Sequence, residues 1–170
     1  MAGRGGTAWS WVWRWAPLLL WILVIGVFST DDFSSEETGS VLLPWLEWLF
    51  PWISDAGLDA LHIALRKAGH VTEFGVLALL WYRALAWRRS GWRGWAAAVA
   101  ALLALGIAAV DEWGQGFTRS REGALADVGW DVLGALAALA ALWLLLRVGG
   151  RIRGVRRQDA ISAEDSRRGL

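Results

Sequence analysis

The sequence contains no cysteine. Disulfides, thiolate metal sites and a cysteine nucleophile are therefore excluded. Charge of one sign is also missing. The 17 Lys and Arg against 16 Asp and Glu leave a net charge of +1, so no overall field favours nucleic acid, and no nucleic-acid-binding motif occurs. There is no Gly-rich phosphate loop and no H-E-x-x-H metal motif. Serine is sparse near His70, which leaves a Ser-His-Asp triad unsupported. Lysine occurs once, at Lys67. What is abundant is apolar: 56% of the 170 residues are hydrophobic and 15 are Trp. The apolar residues come in blocks rather than in a 3.6-residue stripe. The length is that of one domain. Once membrane spans have taken about half of it, the remainder is too short and scattered for a separate soluble enzyme.

The blocks predict an all-α, polytopic membrane protein: a bundle of four transmembrane helices over about 9–28, 68–87, 95–110 and 125–148. Pro17 is placed in the first turns of span one, where a missing N–H matters least, and Arg14 can snorkel to the headgroups. No small-residue cleavage pair follows Phe28, so span one is expected to be a retained anchor rather than a signal peptide. Ala97, Ala100, Ala101, Ala104 and Ala108, with Gly134, Ala138 and Ala141, predict close packing of spans three and four. The segment from Val41 to Ile53 is apolar but holds Pro44, Glu47 and Pro51 together with Trp45, Trp48 and Trp52. It reads as an additional interfacial or re-entrant helical segment between spans one and two. Ser54 or Asp55 can cap a following helix that runs into span two. Residues 1–148 thus form the membrane domain, and residues 149–170 a basic tail expected to be disordered.

Charge sets the expected orientation. The head, the loop between spans two and three, and the tail from Arg147 carry 13 of the 17 basic residues, while the other two loops and their span ends carry 13 of the 16 acidic ones. By the positive-inside rule both termini are cytoplasmic. Trp9, Trp11, Trp13 and Trp15, then Trp87, Trp92 and Trp95, and on the other side Trp113 and Trp130, fall at expected aromatic-belt positions.

Alternating topology then gathers chemistry at the outer ends. Asp59, His62, Arg66, His70 and Glu73 follow 3/4 spacing, so one helix face carries a polar stripe that also borders Lys67. Asp111 and Glu112 close span three, followed by Gln115, Arg119 and Arg121. Asp127 and Asp131 open span four on one face. Ionisable groups inside a membrane boundary are costly and usually face a partner in the bundle. His70, Glu73, Asp111 and Asp127 are the candidate catalytic residues, since a His beside carboxylates can act as general acid or base near neutral pH. Lys67, Glu112, Gln115, Arg121 and Asp131 are the candidate ligand-binding residues. Any one of these groups alone is better explained as a span-end charge or an interhelical staple; the whole set at one membrane face is not. His62, in the interfacial helix, is assigned no function. Glu73, Asp111, Glu112, Asp127, Asp131 and His70 could ligate a metal, but without a spaced ligand motif no metal is assigned, and no cofactor is implied.

The motifs Lys67-x-x-His70-x-x-Glu73-Phe74, Asp111-Glu112-x-x-Gln115-x-Phe117, Arg121, and Asp127-x-x-x-Asp131-x-x-Gly134 resemble the VanZ-like family of membrane proteins. The stretch Phe33-Ser34-Ser35 is similar too, and the resemblance covers about residues 15–146. The chain departs from the family pattern at Phe74, where Tyr is frequent. It departs at Arg119-Ser120, where a Pro-Gly pair commonly precedes the Arg, and at Asp131, where Asn is frequent. The founding member is associated with resistance to the glycopeptide teicoplanin, whose acyl tail can anchor it at the outer leaflet. The resemblance therefore implies a bacterial plasma-membrane protein whose outward polar site takes an amphipathic cell-envelope ligand. A membrane enzyme acting on a lipid-linked substrate and a non-catalytic scaffold are the alternatives. The lipid bilayer and that amphipathic ligand are the expected partners; nucleic acid is not, and no oligomeric state is implied.

Overall fold

A computed structural model describes the backbone of residues 5–30, 35–115 and 125–168, and the side chains of 9–30, 37–114 and 127–151. Within these residues the chain is all-helical. Its elements are α1 (Gly5–Phe28), α2 (Ser35–Leu49), α3 (Asp55–Leu85), α4 (Gly94–Gln115) and α5 (Leu125–Arg168), with no strand among the described residues. α3 packs against each of the other four helices, and its most extensive partner is α5.

The apolar blocks become helices at the expected places. Trp9–Phe28, Gly94–Gly114 and Asp127–Arg151 are long and apolar enough to cross a membrane. These three stretches overlap three of the four expected spans. α3, which holds the expected span two, does not reach the same apolarity. His70, Glu73 and Arg83 lie within its apolar half and offset the leucines there.

Packing puts small residues inside and large ones outside on α4. Ala96, Ala97, Ala100, Ala104 and Ala108 form the buried face of α4, while Leu102, Leu105 and Val110 are exposed. α1 differs, burying the large Leu18 and Ile25 while Leu19, Leu20 and Leu23 are exposed; on α5, Ala135 and Leu139 are buried, and Leu133, Leu136, Leu144 and Leu145 are exposed. Between lipid-facing helices there is no hydrophobic driving force, so close van der Waals contact through small residues and interhelical hydrogen bonds must hold the bundle. The tightest approach is between α3 and α5 rather than α4 and α5. A Cβ on Gly134 would overlap the Val71 carbonyl oxygen, and one on Gly75 would lie 3.3 Å from the Gly134 carbonyl oxygen and 3.4 Å from Ala138 Cβ. Gly134 therefore serves α3, and Ala141 is exposed.

Local signals explain the helix ends. Ser54 caps α3, its Oγ accepting from the Gly57 N–H at 3.3 Å, and the capped helix runs unbroken into the expected second span. Pro17 lies well inside α1, not in its first turns, because the helix begins at Gly5. A proline there leaves the carbonyl four residues back without its helical donor. That carbonyl belongs to Trp13, and Arg83 Nη2 of α3 donates to it at 2.9 Å. In return Arg14 Nε donates to the Ala84 carbonyl near the end of α3 at 2.7 Å. α1 and α3 are thus cross-tied at this end by two arginines.

Two further expectations change. Val41–Ile53 is not one segment: α2 starts at Ser35, carries Pro44 inside it and ends at Leu49, before a turn that leads to Ser54. The backbone from 149 to 168, expected to be disordered, continues α5 as helix. The physical reason is propagation: once a helix is nucleated, each further residue is cheap to add, and Arg, Ala, Gln and Glu in this stretch favour it.

Candidate functional site

Three contacts between α3 and α5 set the geometry. Lys67 Nζ lies 5.1 Å from the centre of the Trp130 ring. One turn on, His70 Nδ1 meets Asp131 Oδ1 at 3.0 Å. One more step along, the backbones meet at Val71 and Gly134. The glycine brings the helices close enough for a short aspartate to reach the imidazole. Asp131 is 3% exposed, whereas the His70 side chain keeps 20% of its surface accessible. A buried acidic group that orients a partly open imidazole is the arrangement used to hold a general base in one tautomer. With Asp131 ionised and the imidazole neutral, Nδ1–H donates to it and Nε2 carries the lone pair.

Other carboxylates surround this pair. Glu73 and Asp127 lie within electrostatic range of His70, and Asp111 and Asp127 within range of Asp131. Asp127 occupies the first turn of α5, where the helix dipole favours negative charge. Asp111 accepts a hydrogen bond from Ser29 at the end of α1, which ties α1 to α4. The Glu73 backbone carbonyl accepts from Trp21 Nε1 of α1 at 2.9 Å. All four long helices thus contribute to one end of the bundle.

The structure brings His70, Asp131 and Lys67 into direct contacts and sets Glu73, Asp111 and Asp127 around them. Glu112, in the last turn of α4, is half-buried. Gln115 ends α4, but its side chain lies outside the described residues, as does all of Arg121. Among the described residues no three acidic or histidine side chains are arranged to hold a metal ion.

Sequence reasoning missed Ser29 and Trp21, whose partners are 82 and 52 residues away; no local pattern marks such pairs. It also treated His62 as part of the same stripe as His70. Eight residues of α-helix rotate the side chain by about 80°. His62 accordingly faces α2, where its ring lies against Gly39, while His70 faces α5. His62 is 6% exposed, and its Nε2 has no hydrogen-bond partner among the described residues.

Small-residue packing, three membrane-length apolar helices and a His–Asp pair with a buried aspartate at one end define the class: an all-helical protein with membrane-type helices around a polar site. The VanZ/LLP1 family model matches residues 14–147, and the chain belongs to that family. No curated protein and no solved structure matches it.

Proposed function

We propose that this protein is a four-span protein of the bacterial plasma membrane, with both termini cytoplasmic. Its outward polar site binds an amphipathic cell-envelope ligand of the lipoglycopeptide or lipid-linked type. The observation that carries this reading is the His70–Asp131 pair between α3 and α5, with Glu73, Asp111 and Asp127 within electrostatic range of it. An acidic ring of this kind suits the amines of such a ligand, and Lys67, with Arg121, suits its anionic groups.

The fourth span is the second half of α3. From Ala68 to Leu85 it covers about 27 Å, close to the roughly 30 Å of a hydrocarbon core. Of its ionisable residues, His70 meets α5 and Arg83 meets α1, as intramembrane ionisable groups require a partner. The acidic ring lies at one end of this stretch and the arginines that tie α1 to α3 at the other. That polarity follows the positive-inside rule. α2, with Trp45 and Trp48 exposed and Trp52 exposed in the turn that follows, is the interfacial helix on the outer side.

The test is drug susceptibility in a sensitive Gram-positive host at matched membrane levels of wild type, His70→Ala and Asp127→Ala. The expected result is a rise in the teicoplanin inhibitory concentration but not the vancomycin one, lost in both variants. Full retention in folded variants refutes the site. A second reading, acid–base catalysis on a lipid-linked substrate, is favoured by the oriented His70 ring. It requires turnover of a labelled lipid by purified protein that His70→Ala abolishes.

A further inference from the structure

A groove of about 370 Å³ runs between α4 and α5 and shares no residue with the His70 site. Its lining includes Trp92, Ala97 and Ala101 from the α4 side and Leu139, Ala140 and Trp143 from α5, and no charged side chain. Ala140 is exposed, so the groove opens on the outer surface of the bundle. Along α5 the lining runs from Leu136 to Trp143, about 10 Å of helix axis. That is two thirds of the roughly 15 Å depth of one leaflet's hydrocarbon. Length and lining suit a stretch of acyl chain rather than a polar solute.

The two tryptophans stand at the arginine end of the bundle. The Trp92 ring stacks on Tyr82 at 5.1 Å between centroids, and Tyr82 Oη accepts from the Arg93 N–H at 3.0 Å, which fixes Trp92 beside the last turn of α3. On the other side the Arg147 guanidinium lies 4.1 Å from the centre of the Trp143 ring. Arg147 is exposed and makes no hydrogen bond or ion pair with a described residue. Stacking holds a guanidinium by its face and leaves its in-plane N–H donors free for an anion. Positive charge at this end is not neutralised. No acidic residue occurs between Glu73 and Asp111 or between Asp131 and Asp159. Arg14 and Arg83 donate to backbone carbonyls, which satisfies donors without cancelling charge, and Arg88 and Arg89 are exposed. A phosphate is matched here, whereas an ammonium would meet only like charge.

Resting on the membrane placement proposed above, we infer that this groove binds one anionic phospholipid of the cytoplasmic leaflet. One acyl chain lies on Ala97, Ala101, Leu139 and Ala140, between Trp92 and Trp143. The phosphate sits at the mouth, where Arg147 donates to its oxygens. Basic sites between spans on the cytoplasmic side take anionic headgroups for this reason. The lipid fills a seam between α4 and α5 that their small side chains leave open.

The test counts single lipids. The whole chain, purified in a neutral detergent, is titrated with dioleoyl phosphatidylglycerol or dioleoyl phosphatidylcholine, and one-lipid adducts are resolved by native mass spectrometry. The first phosphatidylglycerol should bind about tenfold tighter than the first phosphatidylcholine, as expected of a charge-assisted contact. Arg147→Gln should abolish that preference. Arg151→Gln, one turn further along α5 and also exposed, should change it by no more than about fivefold, the effect of general attraction. Ala140→Phe, which fills the groove from its exposed side, should weaken phosphatidylglycerol binding about tenfold or more. Equal binding of the two lipids overturns the site. Equal loss in Arg147→Gln and Arg151→Gln overturns Arg147 as the contact, and undiminished affinity in Ala140→Phe overturns the groove as the location. Membrane placement is read separately. The chain has no cysteine, so Ser90→Cys, in the exposed turn between α3 and α4, gives a single thiol. A membrane-impermeant maleimide should label it only after the cells are opened. Labelling in intact cells overturns the orientation and the leaflet, while the micelle titration still reports the site, so the two failures are distinguishable.

Discussion

Replacing Gly134 with Ala sets two known effects against each other. Alanine raises helix propensity by about 0.5–1 kcal/mol over glycine, so on an open helix face the change stabilises. At Gly134 the new Cβ would overlap the Val71 carbonyl oxygen and lie 2.7 Å from Val71 Cα and 2.8 Å from its carbonyl carbon. All three are backbone atoms of α3, which no rotamer change can move. Restoring ordinary contact requires the two helices to part by roughly 1 Å, and overpacking of this kind costs about 1–3 kcal/mol. The His70–Asp131 bond, 3.0 Å long and one turn away, then stretches to about 4 Å, beyond hydrogen-bonding range. Gly129 on the same helix has nothing within 4 Å of its Cβ position and is the matched control. Thermal unfolding in detergent should therefore place Gly134→Ala below wild type and Gly129→Ala at or above it. The His70 ¹⁵N signals should move in the first variant only. If the two variants melt alike and the His70 signals do not change in Gly134→Ala, the close approach is not what holds the pair together.

Three further outcomes are expected. Asp131→Asn keeps a carbonyl oxygen for His70 Nδ1–H and should retain most of the susceptibility phenotype, whereas Asp131→Leu should lose it; equal loss in both would mean that the charge, not the orientation, matters. Arg83→Leu should cost about 0.5–1.5 kcal/mol by leaving the Trp13 carbonyl without a donor, and less in a Pro17→Ala background, where the backbone N–H restored at that position can reach the same carbonyl; additive unfolding free energies would refute the link. Lys67→Met should lower stability by only about 0.5–1 kcal/mol, the worth of its contact with Trp130, while reducing teicoplanin protection more than that; a phenotype that tracks the stability loss would make Lys67 structural.

Much of the helical layout was legible in the sequence. Long apolar blocks marked α1, α4 and α5 because a backbone in an apolar setting must satisfy its own hydrogen bonds within the helix. Ser54 marked the start of α3 because its side chain can cap the N–H groups that a helix leaves open. The residue set around His70 was legible as span-end polar groups, and so were the motifs of the VanZ/LLP1 family. After Gly149 the basic composition suggested solvent-exposed chain, whereas the backbone there continues α5 as helix.

Pairing was not legible in the same way. Periodicity states which residues share a helix face, but not which neighbour that face meets. His62 and His70 lay in one sequence stripe, yet the helical rotation between them sends one to α2 and the other to α5. Gly134 read as a small residue for α4 and instead sits on Val71 of α3. Asp131 becomes the partner of His70 across 61 residues, and Ser29 that of Asp111 across 82. Hydropathy and capping act over a few residues, so the sequence by itself determined the helices and their polar ends. Contact distance and side-chain direction are set by how whole helices pack, so only the tertiary structure decided which polar groups meet.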